Sequence, residues 1–148
     1  MTDSLSNPSH FVASELLPHA ALLTRLVIRQ MTAPLTRTEA GMLNTLSDGP
    51  RRITELAELE GLAQPTTTLL VKRLEDRGWV AREREPGDGR VVLVRSTEAG
   101  AAALDAFRAC AAGVLESCLE QMADEHIEAL AASVGAIEAL VALLQRPG

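Results

Sequence analysis

A chain of 148 residues with a formal charge of −6 is long enough to bury a core within one domain. Charged residues interrupt each apolar run before the ~20 consecutive positions of a membrane span, and the opening MTDSLSNPSH has neither the basic nor the apolar region of a secretory leader. A cytoplasmic protein with no membrane contact is expected. Two cysteines, Cys110 and Cys118, exclude a disulfide framework. On one expected helix they stand about 12 Å apart, too far to bridge, and the plain expectation is burial as apolar residues.

The negative charge argues against a nucleic-acid partner until it is divided along the chain. Residues 1–50 carry three Lys/Arg and four Asp/Glu, residues 51–95 nine and eight, and residues 96–148 two and eight. The excess acid therefore sits in the last third, and the middle can present a basic face if its cations segregate in space. Alanine and leucine dominate and aromatics are scarce, which predicts a mainly α protein with strands only in the middle.

From the N-terminus, the spacing of Leu16, Leu17, Ala20, Leu23 and Val27 predicts a helix over 8–32, kinked or divided at Pro18. Thr36 and Glu39 fit a capping box that opens a second helix, which ends near Ser47-Asp48-Gly49-Pro50. A short helix follows over 54–60 with Leu56 and Ala57 on one face, then a turn at Gly61-Leu62 with one apolar plug. Pro65 sits at the start of the next helix, where Thr67, Leu70, Val71 and Leu74 face inward and Gly78 suits the exit. Two short helices joined by a tight turn form a helix-turn-helix, whose second helix is shaped to enter a major groove.

The run Trp79–Arg84, the turn Glu85–Arg90 and the run Val91–Arg95 read as a β-hairpin placed directly after that helix. Such a wing, carrying Arg90 at its tip, can probe a minor groove. Thr97 then caps a helix containing Leu104, Phe107, Ala111, Val114, Cys118 and Met122 at helical spacing. Asp124 caps the last helix, where Leu130, Val134, Ile137, Val141 and Leu144 form a coiled-coil-like seam flanked by Leu140 and Leu143. So wide an apolar surface on a terminal helix calls for a partner subunit.

Helix, helix-turn-helix, wing and long C-terminal helices in this order resemble the MarR family. The residues that carry the resemblance are Leu74-Glu75-Asp76-Arg77-Gly78, the wing Pro86-Gly87-Asp88-Gly89-Arg90, and Thr97-Glu98-Ala99-Gly100. The family pattern around the wing is roughly D-P-x-D-x-R, an apolar strand, then L-T-x-x-G. Glu85 and Ser96 depart from it, whereas Asp88, Arg90, Thr97 and Gly100 keep it.

The resemblance covers about residues 10–146. It implies a single domain over 1–148, with dimerisation helices at 8–32 and 97–146 around a winged helix-turn-helix at 36–95. It further implies a homodimeric regulator, a repressor released from a double-stranded DNA operator by a small aromatic or anionic ligand. By the same resemblance Arg90 is the minor-groove residue and Asp88 orients its guanidinium.

Candidate DNA contacts are Gln64, Thr66, Thr68, Leu69, Lys72 and Arg73 on the recognition helix, with Asp88 and Arg90 on the wing. Arg73, Arg77, Arg82 and Arg84 read either as phosphate contacts or as ion pairs with neighbouring acids. Ala63 stands where relatives often have a capping residue, and Leu69 stands where they often have Arg; a leucine cannot bond a guanine edge. The resemblance also implies a ligand pocket between the N-terminal helix and the winged domain, where His19, Arg25 and Arg29 could meet an anionic ligand, although each reads equally as a surface or interface residue. His10, His19 and His126 lack the spacing of a metal site, and no cofactor is expected. No phosphate loop, nucleophile elbow or Cys/His pair marks an enzyme. The competing reading is a helical protein-interaction module that keeps the winged fold without binding DNA, which Leu69 and the negative charge favour.

Overall fold

The computed structural model describes residues 7–146; Met1–Ser6, within the stretch expected to carry no secretory leader, and the last two residues lie outside them. The elements run α1 (Pro8–Gln30), α2 (Arg37–Leu46), α3 (Ile53–Glu60), α4 (Gln64–Asp76), β1 (Val80–Glu85), β2 (Asp88–Ser96), α5 (Glu98–Leu119) and α6 (Asp124–Leu144). The fold is mainly α with one β-hairpin. The chain divides within α5 into two compact units, Met1–Ala112 and Gly113–Gly148.

The core of the first unit draws on every element from α2 to α5. Met42, Leu43, Leu56, Val71, Leu74 and Val94 are completely buried, with Leu35, Leu46, Leu70, Val80 and Leu104 beside them. Leu62 packs against this core from the turn, as the apolar plug predicted. That turn closes because Gly61 adopts φ 63°, a left-handed conformation that side chains resist. At the other end of α4, Gly78 reverses the chain at φ 74°.

α2 opens on the expected capping box: Glu39 donates its amide to Thr36 Oγ1 (3.2 Å), and the Thr36 amide donates to Glu39 Oε2 (2.9 Å). The Glu39 side chain is buried yet has a second role. Arg77, just past the end of α4, approaches its carboxylate at 3.7 Å and donates to the Pro34 carbonyl at 2.9 Å. The same guanidinium lies 4.7 Å from the centre of the Trp79 ring. Arg77 thus ties the end of α4 to the segment that leads into α2.

Of the two alternatives at Pro18, division is excluded: Pro18 lies inside a single helix α1, and Asn7 caps its first turn by accepting from the Ser9 amide at 3.1 Å. Among its residues only Val27 is buried, whereas Phe11, Val12, Leu17, Leu23 and Leu26 are exposed. In the second unit, α6 buries none of its residues, so the whole seam from Leu130 to Leu144 lies open. By length and composition both α1 and α6 reach what a membrane crossing needs, although charges interrupt them in the sequence. In α6 those interruptions beyond the first turn are only Glu128 and Glu138.

Three smaller expectations are corrected. The cap of α6 is Ala123, with Asp124 in the first turn, where its charge opposes the helix dipole instead of capping. Met122 and Cys118 are exposed, and Cys110 is only half-buried, because the core contact of α5 fades after Phe107. The hairpin turn is shorter than expected: Glu85 already pairs with Asp88, leaving Pro86-Gly87 as the turn, with Gly87 at φ 97°.

Candidate nucleic-acid interface

Leu56 of α3 and Leu70 and Val71 of α4 are buried in one core, with Leu62 of the turn packed against it, which fixes the outward face of α4. Thr67, Leu70, Val71 and Leu74 are buried as predicted, and Gln64, Pro65, Thr66, Thr68, Leu69, Lys72 and Arg73 are all exposed. At ~100° per residue, Pro65, Thr68, Leu69 and Lys72 form one stripe opposite the core. Thr68 Oγ1 donates to the Gln64 carbonyl at 2.9 Å, so its proton is committed to the helix's own backbone. Ala63 precedes the helix without a side-chain cap, as its methyl requires.

The wing is anchored at three places. Arg51 exchanges both backbone hydrogen bonds with Val94 at 2.9 and 2.8 Å, adding a third, one-residue rung to the hairpin. Arg52 pairs with Glu85 at 2.8 Å, joining the start of α3 to the base of the turn. Thr97 accepts from the Gly100 amide at 3.1 Å and donates to the Gly78 carbonyl at 2.6 Å, so one hydroxyl caps α5 and holds the exit of α4.

Between Asp88 and Val92 the ladder slips: Arg84 pairs with Val92 and Glu85 with Asp88, which leaves Gly89, Arg90 and Val91 outside the register. Arg90 therefore projects from a bulge behind the turn instead of from its tip. Asp88 does not pair with the Arg90 guanidinium. Its Oδ1 accepts from the Arg90 backbone amide at 3.1 Å, the local bond that aspartate makes two residues ahead in a turn. Arg84, on the opposite strand, donates to the Gly89 carbonyl and braces the bulge.

Ion pairing divides the nine basic residues between Arg51 and Arg95 into three sets. Arg52, Arg77, Arg82 and Arg95 pair with Glu85, Glu39, Glu75 and Glu83. Arg51 and Arg84 donate to the carbonyls of Pro50 and Gly89. Among the described residues, Lys72, Arg73 and Arg90 have no such partner. From sequence, pairing and phosphate contact are both open to Arg73, Arg77, Arg82 and Arg84; the structure leaves only Arg73 of the four without a protein partner.

The candidate ligand residues separate. Arg25 and Arg29 line a groove of about 450 Å³ with Pro18, Leu22, Ile28 and Arg37. His19 lies instead in a second groove with Phe11, Val12, Glu15 and Leu16, its Nδ1 2.8 Å from the Glu15 carbonyl. Arg37 is absent from the sequence-based set because it belongs to the next helix; the short segment between α1 and α2, which brings it alongside, was the available signal.

The MarR family model matches residues 35–92 of this chain. The transcriptional repressor NicR of Pseudomonas putida is 40% identical over 83 residues, 55% of this chain and 52% of NicR. The HTH-type regulator Mb0904 of Mycobacterium bovis is 34% identical over 99 residues, 66% of this chain and 69% of that protein. The crystal structure of apo MarR from E. coli superposes with a TM-score of 0.66 at 18% identity, covering 81% of this chain and 94% of MarR, which shows the shared fold. The chain spans between 52% and 65% of the length of four of the curated relatives that it matches, NicR among them.

Proposed function

The chain belongs to the MarR family, and from that premise we propose that it is a homodimeric transcriptional repressor that grips duplex DNA through α4 and the wing. The observation that carries this reading is the set of cations without protein partners. Lys72 and Arg73 on the exposed side of α4, and Arg90 on the wing bulge, stand free in a segment where every other basic side chain is engaged. Unpaired cations on a groove-sized helix and on an adjacent hairpin are what phosphate neutralisation requires. Exclusion of polymerase from an occupied promoter is the simplest regulatory output, and a repressor is what NicR, 40% identical, is named.

The second copy is argued from the apolar faces. α1 carries Phe11, Leu17, Leu23 and Leu26 in the open, and α6 carries Val134, Ile137, Val141 and Leu144, large apolar side chains that a partner surface would cover. A membrane would accept such helices singly; the apolar faces of a second copy's helices cover them without one. The groove beside Arg25, Arg29 and Arg37 supports binding of a small anionic, often aromatic, effector, with guanidinium groups for its carboxylate and Leu22 and Ile28 for its ring. No enzyme activity belongs to this reading.

Titration against mixed-sequence duplex DNA at two salt concentrations tests it. Binding that weakens steeply with salt is expected; absence of binding even at low salt would favour the protein-interaction module instead.

A further inference from the structure

The outward stripe of α4 has an unusual chemistry for a helix that reads bases. From Pro65 to Leu69 it carries no charge, and Leu69, at its centre, is an apolar side chain left 50% exposed. Pro65 adds a ring of methylenes. Thr68 has its hydroxyl proton on the Gln64 carbonyl, so toward a groove it offers a methyl group and an acceptor, not a donor. The cations Lys72 and Arg73 come only at the far end of the exposed face.

Guanine presents two acceptors to the major groove and needs a donor, which this stripe lacks from Pro65 to Leu69. Thymine presents a methyl group. An exposed leucine gains nothing from water or phosphate, but it removes apolar area when it meets that methyl. Resting on the DNA-binding reading above, we infer that α4 discriminates its operator through thymine C5-methyl groups, with Leu69 as the specificity-determining contact and Pro65 and Thr68 beside it. Gln64 and Thr66 remain the polar contacts of the first turn, and Lys72 anchors the backbone or an outer base.

Deleting the methyl alone tests this. Duplexes are selected by the wild-type protein from a pool with a randomised core, and each thymine of the selected half-site is then replaced singly by uracil, which keeps every hydrogen-bonding group. At one or two positions uracil is expected to weaken binding about fourfold, the value of one buried methyl, and 5-methylcytosine there is expected to bind better than cytosine. Leu69→Ala should erase the uracil effect at its position. Leu69→Arg should shift the selected base there from thymine toward guanine. Both substitutions are on an exposed side chain, and unchanged melting temperatures check that the fold is kept.

Binding to the selected duplex with no uracil effect at any thymine overturns the inference and leaves the DNA-binding reading intact. No binding to any duplex at low salt overturns both.

Discussion

Gly100 lies against the backbone of Trp79 so closely that a methyl group there would overlap the Trp79 carbonyl oxygen and come within 2.9 Å of its carbon. The close approach joins the first turn of α5 to the chain leaving α4, and it works together with the Thr97 hydroxyl that bonds both Gly78 and Gly100. Gly100→Ala must therefore push α5 away from backbone, which cannot yield as a side-chain end would. A loss of about 1–3 kcal/mol in unfolding free energy is expected from denaturant titration. Thr97→Val, which removes the cap but keeps the shape, should cost about 1 kcal/mol. A Gly100→Ala protein as stable as wild type would show that the close approach is not a feature of the folded protein.

Core and surface on α4 should separate cleanly in melting experiments. Leu74 is fully buried, and Leu74→Ala is expected to cost about 2–5 kcal/mol, whereas Leu69→Ala, five residues earlier on the exposed side, should change stability by less than about 0.5 kcal/mol. Equal losses would mean that the outward face of α4 is covered by protein.

The sorting of cations predicts a salt-dependence series. Arg73→Ala and Arg90→Ala should each flatten the slope of log affinity against log salt by about one unit for every phosphate that is no longer neutralised. Arg82→Ala and Arg95→Ala should leave it nearly unchanged, since those side chains already face Glu75 at 3.1 Å and Glu83 at 3.0 Å. Fluorescence anisotropy at four or five salt concentrations measures the slopes, and an Arg82 effect as large as that of Arg90 would break the distinction.

Asp88→Ala should weaken DNA binding less than Arg90→Ala and with the salt slope retained. It loosens the bulge by removing one bond to the Arg90 amide and takes no cation from the wing. A change of slope for Asp88→Ala as large as for Arg90→Ala would indicate a direct link between the two side chains when DNA is bound.

Assembly can be tested without DNA. Ile137 and Val141 lie mid-seam on α6, both open to solvent in the single chain. Substituting Asp at both would bury two unpaired charges in a dimer and is expected to give monomer or aggregate. Sedimentation velocity reads the outcome; a wild-type protein that is monomeric at micromolar concentration would refute the dimer.

The winged helix-turn-helix was legible because its signals are local and redundant. The capping box at Thr36 and Glu39, the glycines at Gly61 and Gly78, and the four inward residues of α4 each report on neighbours within a few positions. What escaped were relations set by tertiary context or by details of turn geometry. The three extra residues behind Pro86-Gly87 leave the ladder without leaving the strand pattern, so Arg90 reads as a tip residue in the sequence. The partners of Arg77 are invisible there because Pro34 and Glu39 lie 43 and 38 positions away in the chain. Arg37 belongs to another helix from the arginines it joins.

The slip in the hairpin ladder has a consequence for how such a wing can vary. Residues Gly89–Val91 lie outside the paired register, and the ladder from Arg84–Val92 back to Val80–Ser96 is continuous. Adding or removing a residue in that stretch alters how far the arm extends without shifting any pair behind it, whereas the same change beyond Val92 would turn each following side chain to the opposite face. The bulge is therefore a place where reach toward the nucleic acid can change by single insertions while Val80 and Val94 stay in the core. Length at this point is a free variable of the scaffold; length one residue further along is not.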